Sequence, residues 1–97
     1  MTIEYLRYRF PDGLGDKFEA DYKAAIIFLK QSEYCIGCEL SRCEEDPDRY
    51  ILRIEWTSTK DHIEGFRNSP EFKKFLPLIK THIKHLEEMH HYTPLII

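Results

Sequence analysis

The chain has no apolar run approaching the roughly 18 residues of a membrane-spanning helix. Its first residues, MTIEYLRYRF, lack the apolar core of a signal peptide and already read as a strand, so a cytoplasmic protein is expected. Glycine is scarce, at four residues, and none lies in a phosphate-cradling loop; Asp12-Gly13-Leu14-Gly15 reads only as a turn. There is no G-x-S-x-G element for a serine nucleophile. Excess positive charge is missing too. Fourteen Lys and Arg stand against seventeen Asp and Glu, for a net charge of −3 and a pI of about 5.9. A nucleic-acid or anionic-membrane partner needs a basic face, so neither is expected. Cysteine is limited to Cys35, Cys38 and Cys43, an odd number that forms no closed disulfide framework.

What is present describes one folded domain. The 97 residues are 42% hydrophobic and 32% charged, the balance of a globular chain of one domain. Ile3 to Phe10 is rich in Ile, Tyr and Phe and reads as a strand. Pro11-Asp12-Gly13 is a turn. From Leu14, apolar residues recur at Phe18, Tyr22, Ala25, Ile26 and Leu29, which is helical spacing with one buried stripe. Tyr34 to Cys43 reads as a second strand and Arg49 to Trp56 as a third, joined by a hairpin connection around Asp46-Pro47-Asp48. Ser58 and Asp61 have capping-box spacing for a short helix through about Arg67. Ser69, with Pro70 behind it, caps another helix whose apolar stripe is Phe72, Phe75, Leu76, Ile79 and Ile83, with Pro77 as a kink. Glu87 to Leu95 reads as the last strand.

The order strand, helix, strand, strand, helix, strand is the split βαβ pattern of a ferredoxin-like α+β fold, here a single domain over residues 1–97. Right-handed crossovers put the first and third strands in the centre of an antiparallel sheet, with helices on one face. Alternation assigns Leu6 and Tyr8 to the helix face. It turns Ile3, Tyr5, Arg7 and Arg9 away, with Ile51, Arg53 and Glu55 of the third strand and Cys35, Glu39, Ser41 and Cys43 of the second. That second face is too apolar to be freely solvated and too charged to be a dry core. A second copy packed over it resolves both problems, so a homodimer around a partly polar cavity is expected. The same alternation separates Cys35 from Cys38, which makes them small apolar side chains rather than a redox or metal pair.

The segments ELSRCEEDPDRYILRIEW and SPEFKKF carry a resemblance that extends over nearly the whole chain. The sequence resembles the antibiotic biosynthesis monooxygenase-like family of small dimeric α+β barrel proteins. The resemblance implies a cofactor-independent oxygenase acting on a small aromatic or quinol. It also reaches haem-degrading enzymes, and domains joined to truncated haemoglobins through similar RYILRIEW and SPEF segments. Where many members carry histidines, this chain has Phe66 and Glu71. Phe66 cannot ligate iron, so haem degradation by the family's usual route is not expected, and no cofactor is assigned.

Candidate residues follow from this reading. His91 or His90 would be the base that deprotonates an aromatic substrate, with Arg7 or Arg53 and Tyr5 stabilising the anion. Glu55 and Trp56 join them as substrate-binding candidates. The bland readings stand beside these: Arg7–Glu55 or Arg53–Glu39 pairs that merely neutralise an interior, and a Trp56 that packs in the core. His62, one helical turn before Phe66, reads as a solvated surface histidine. His82, His85, His90 and His91 lack an Asp or Cys partner at metal spacing, so no metal site is expected. The alternative to an enzyme is a non-catalytic dimeric module that binds a ligand or a partner such as a globin.

Overall fold

A computed structural model describes all 97 residues. Four strands and two main helices follow in the order β1 (Thr2–Arg9), α1 (Gly15–Gln31), β2 (Cys35–Arg42), β3 (Arg49–Trp56), α2 (Pro70–Ile79) and β4 (Leu86–Tyr92). Between β3 and α2 runs a π-helical turn, Asp61–Gly65, that tightens into a 3-10 turn at Phe66–Asn68. A second 3-10 segment, Lys80–His85, leads from α2 into β4. The sheet is antiparallel throughout, in the order β2-β3-β1-β4. This is the ferredoxin-like α+β fold, with β1 and β3 in the centre.

The core lies between the sheet and the helices. Helix α1 buries Phe18, Tyr22, Ala25 and Leu29, the stripe its periodicity predicts. They meet Leu6 and Tyr8 of β1 and Tyr50, Leu52, Ile54 and Trp56 of β3. Ser69 caps α2 by accepting the Phe72 N–H at 3.3 Å, and Pro70 occupies the first turn, where no N–H is needed.

Three departures from the sequence reading lie in α2, β4 and β2. The apolar stripe of α2 was expected to reach Ile83, but Ile83 is exposed and His82 is buried. Beyond Ile79 the chain tightens to three residues per turn, which brings position 82 rather than 83 beneath Ile79. The last strand stops at Tyr92 instead of Leu95. Ile3 pairs with Tyr92, β1 starts one residue earlier, and Pro94 has no N–H to offer a ladder.

The third departure is in β2. A register shift between Cys35 and Gly37 inserts one extra residue, Ile36, into the strand. Cys35 then lies opposite Trp56 and Cys38 opposite Ile54, so both thiols face the helices and pack against the core. The expectation that Cys35 shares the far face with Glu39 and Ser41, away from Cys38, is therefore corrected. Strict alternation holds only until a bulge consumes one residue.

Candidate active site

The site assembles at one end of the sheet, on its helix face. Glu4 projects from β1 among apolar neighbours and is only 2% exposed. Its partner directly across the β1–β4 ladder is His91. Trp56 ends β3, and the Trp56 indole N–H donates to Glu4 Oε1 at 3.0 Å. Thr57 and Ser58 then start the π-turn. The Asp61 N–H donates to Ser58 Oγ at 2.9 Å, and Thr57 Oγ1 donates to the Asp61 carboxylate at 2.7 Å. These bonds fix the turn so that His62 and Phe66, four residues apart, both point inward.

His62 is 4% exposed, which corrects its reading as a solvated surface residue. Its ring stacks on the Trp56 indole, with centroids 4.3 Å apart and planes 10° from parallel. Its two nitrogens address different neighbours. Nδ1 lies 2.7 Å from His91 Nε2, and Nε2 lies 3.7 Å from Glu4 Oε1. A single metal ion can take only one nitrogen of a ring. One ligand atom from each of Glu4, His62 and His91 lies within 4.8 Å of the others, close enough for a shared metal ion, which the sequence did not lead us to expect. The 2.7 Å contact between the two histidine rings equally lets them share a proton.

The electrostatics agree. Burial, aided by the Arg67 and His91 charges, lowers the His62 pKa to about 3. His91 is lowered as well, by burial and then by Arg67 and His90. Both rings are therefore neutral at pH 7, and one N–H can bridge them. Burial raises the Glu4 pKa, opposed by the Trp56 hydrogen bond and the Arg67 charge.

A cavity of about 260 Å³ lies between the sheet and the helices. Most of its wall is apolar, from residues including Leu52, Ile54, Phe75 and Ile79. Glu4 and His62 reach it from the buried side, and Arg67, itself exposed, reaches it from the 3-10 turn. His91 lies behind His62 and is partly open to solvent. A proton taken up by His62 therefore has a short hydrogen-bonded way out.

The sheet separates the residues singled out from the sequence. His91 and Trp56 belong to the group around this cavity. His90, Arg7, Tyr5, Arg53 and Glu55 lie across the sheet. There Arg7 Nε donates to Glu88 at 2.7 Å, His90 Nδ1 sits 3.1 Å from Glu88, and Arg53 pairs with Glu55 at 2.6 Å. Tyr5 packs edge-on against Tyr92 at 5.2 Å. The Arg53–Glu55 pair replaces the Arg7–Glu55 and Arg53–Glu39 pairings read from the sequence. Tyr5, Arg53 and Glu55 line a hollow of about 420 Å³ beneath the C-terminal residues. His82 pairs with Asp21 at 2.7 Å, away from either group. Sequence reasoning missed Glu4, although its place between Ile3 and Leu6, on the face of Leu6 and Tyr8, was the available signal. It missed Arg67 as well, for which no periodic signal existed.

A sequence model of the antibiotic biosynthesis monooxygenase family matches residues 1–78. The chain belongs to this family. It is 32% identical over 79 residues to the uncharacterised protein YczJ of Bacillus subtilis, a match covering 81% of this chain and 83% of YczJ. The crystal structure of a candidate antibiotic biosynthesis monooxygenase from Bordetella bronchiseptica superposes with a TM-score of 0.79 at 26% identity, covering 98% of this chain and 97% of that one. SnoaB, a cofactor-independent oxygenase from Streptomyces nogalater, also gives a TM-score of 0.79, at 16% identity over 99% of this chain and 94% of its own. At that identity the likeness to SnoaB is one of fold. The family membership and its monooxygenase-named neighbours give this chain a monooxygenase-like fold.

Proposed function

We propose that the protein is a cofactor-independent monooxygenase that takes a small aromatic or quinol into the 260 Å³ cavity. The observation that carries this reading is a buried, neutral His62 that opens on an apolar cavity and is hydrogen-bonded to His91 behind it. A cavity at the lower end of the usual ligand range suits a one- or two-ring substrate.

His62 accepts the phenolic proton and His91 relays it toward solvent. The resulting anion raises the proton affinity of the ring beside it, so a base held low in the empty site becomes stronger as the charge develops. Arg67 stabilises that anion. Glu4 and Trp56, both in the cavity wall, position the His62 ring. The electron-rich ring then reacts with dioxygen. Ring hydroxylation uses two electrons and oxidation of quinol to quinone uses the other two. One oxygen atom stays on the ring and the other leaves as water, so a quinol supplies all four electrons and no external reductant is needed.

Oxygen-electrode measurements over a panel of quinols test this. Wild-type protein should consume dioxygen above the buffer rate with at least one member. His62→Gln should lower that rate by about 10²–10⁴-fold, the usual contribution of a general base. Ligand binding with no uptake from any member would overturn it in favour of a non-catalytic binding module.

We also infer that the protein works as a homodimer. Ile36 and Tyr92 are exposed at the sheet, and Leu95, Ile96 and Ile97 are nearly fully exposed beside the hollow lined by Tyr5, Arg53 and Glu55. Large apolar side chains exposed on a sheet face are ordinarily covered. A second copy, sheet to sheet, would cover them. Light scattering at micromolar concentration tests this, and a monomer would overturn it.

A further inference from the structure

The Tyr22 hydroxyl is buried without a hydrogen-bond partner in the protein. The residue sits on α1, is 2% exposed, and also lines the cavity. Buried hydroxyls are almost always satisfied, so an orphan one at a cavity wall calls for a partner. Packing does not require it. Tyr22 belongs to an apolar stripe with Phe18, Ala25 and Leu29, and its ring contacts Phe18 and Phe75 at centroid distances of 5.9 and 6.3 Å. Phenylalanine would make the same ring contacts. Burial holds the phenol protonated, with the nearby Cys38, Tyr8 and Cys35 groups adding to the effect, so the hydroxyl is available as a donor.

We propose that Tyr22 is a second polar anchor of the cavity, donating a hydrogen bond to an oxygen of the bound ligand separate from the oxygen that meets His62. The inference rests on the cavity being the ligand site, as proposed above. It narrows the ligand class to aromatics carrying two separated oxygens, one acidic hydroxyl for His62 and one acceptor for Tyr22. It also makes Tyr22 a specificity-determining residue reached from α1, independent of the π-turn that carries the base. A phenol with a single oxygen leaves the Tyr22 hydroxyl unpaired, and such mismatches are where polar sites discriminate most strongly.

Anaerobic titration calorimetry with 1-naphthol and 1,4-naphthalenediol tests the anchor apart from turnover. The wild-type protein should bind the diol about tenfold more tightly than the naphthol. Tyr22→Phe should bind both with the affinity wild type shows for the naphthol. Without ligand, the same variant should melt at or above the wild-type temperature, because it removes an unpaired buried hydroxyl. A purely structural hydroxyl predicts a lower melting temperature and an unchanged preference. That result, a preference that survives Tyr22→Phe, or no binding of either compound would overturn the proposal. A Tyr22-dependent preference in a protein that consumes no dioxygen would support the anchor and count against the oxygenase reading alone.

Discussion

His62 makes the protein sensitive to acid in a defined direction. The histidine of an unfolded chain titrates near 6.5, whereas burial holds this ring at about 3. Between those values the unfolded chain takes up a proton that the native state refuses. Stability is therefore retained above about pH 6.5 and lost as the pH falls toward 3. The difference of roughly 3.5 units corresponds to about 4–5 kcal/mol at the acid end. Glu4 works in the opposite sense, because its raised pKa stabilises the fold at low pH and loses that contribution as the pH rises through it. Urea denaturation in a Glu4→Gln background removes the opposing carboxylate and leaves the two lowered histidines, His62 and His91. There the unfolding free energy should fall by several kcal/mol between pH 6.5 and 4, and adding His62→Gln should reduce that slope. An unchanged slope would mean that His62 is protonated in the fold.

At the scale of elements, two irregularities place titratable side chains. The π-turn turns His62 inward, as such turns often do at functional sites. The bulge at Ile36 brings Cys35 and Cys38 to one face. The thiols interact: Cys38 and burial push Cys35 up, while Cys38 falls to about 7 beside Cys35, helped by Lys30. The Cys35 thiol itself donates to the Gly37 carbonyl at 3.6 Å. Because thiolate is the reactive form, iodoacetamide at pH 7.5 should modify Cys38 before Cys35, and peptide mass mapping reads the order. Labelling of Cys35 first would contradict it. The regular elements were legible in the sequence, since alternation and the 3.6-residue period announced β1, β3 and α1, and Ser69-Pro70 announced α2. The irregular ones were not. A bulge or a π-turn adds a single residue to an otherwise periodic pattern, and the addition leaves no compositional mark. Strict periodicity therefore puts Cys35 on the far face and His62 in solvent. Alternation sets His90 and His91 on opposite faces of β4 without saying which meets the cavity, and Trp56 enters through the family resemblance; the structure places both His91 and Trp56 on the helix face. Glu4 was overlooked because a carboxylate among core positions looks like a break in the pattern rather than a part of the site.

At the scale of the molecule, the sheet has two different faces. The helix face holds the cavity and the His62–His91 pair. The other holds a charged and aromatic surface with Arg7–Glu88 and Arg53–Glu55 pairs and the exposed C-terminal residues. Placing a charge in the tail tests what that surface is for. Ile96→Asp with Ile97→Asp should shift the protein from dimer to monomer by light scattering, with urea stability at pH 7 little changed below the dimer dissociation concentration. A dimer that persists would place the interface elsewhere.

The central position of β1 has a further consequence. Glu4 and Tyr5 are neighbours in sequence, yet they lie on opposite sides of a sheet one backbone thick. Substitutions on one side meet those on the other only through that backbone. The helix-face cavity and the opposite surface can then be altered one at a time, so a substitution at Tyr5 leaves Glu4 and its neighbours in place.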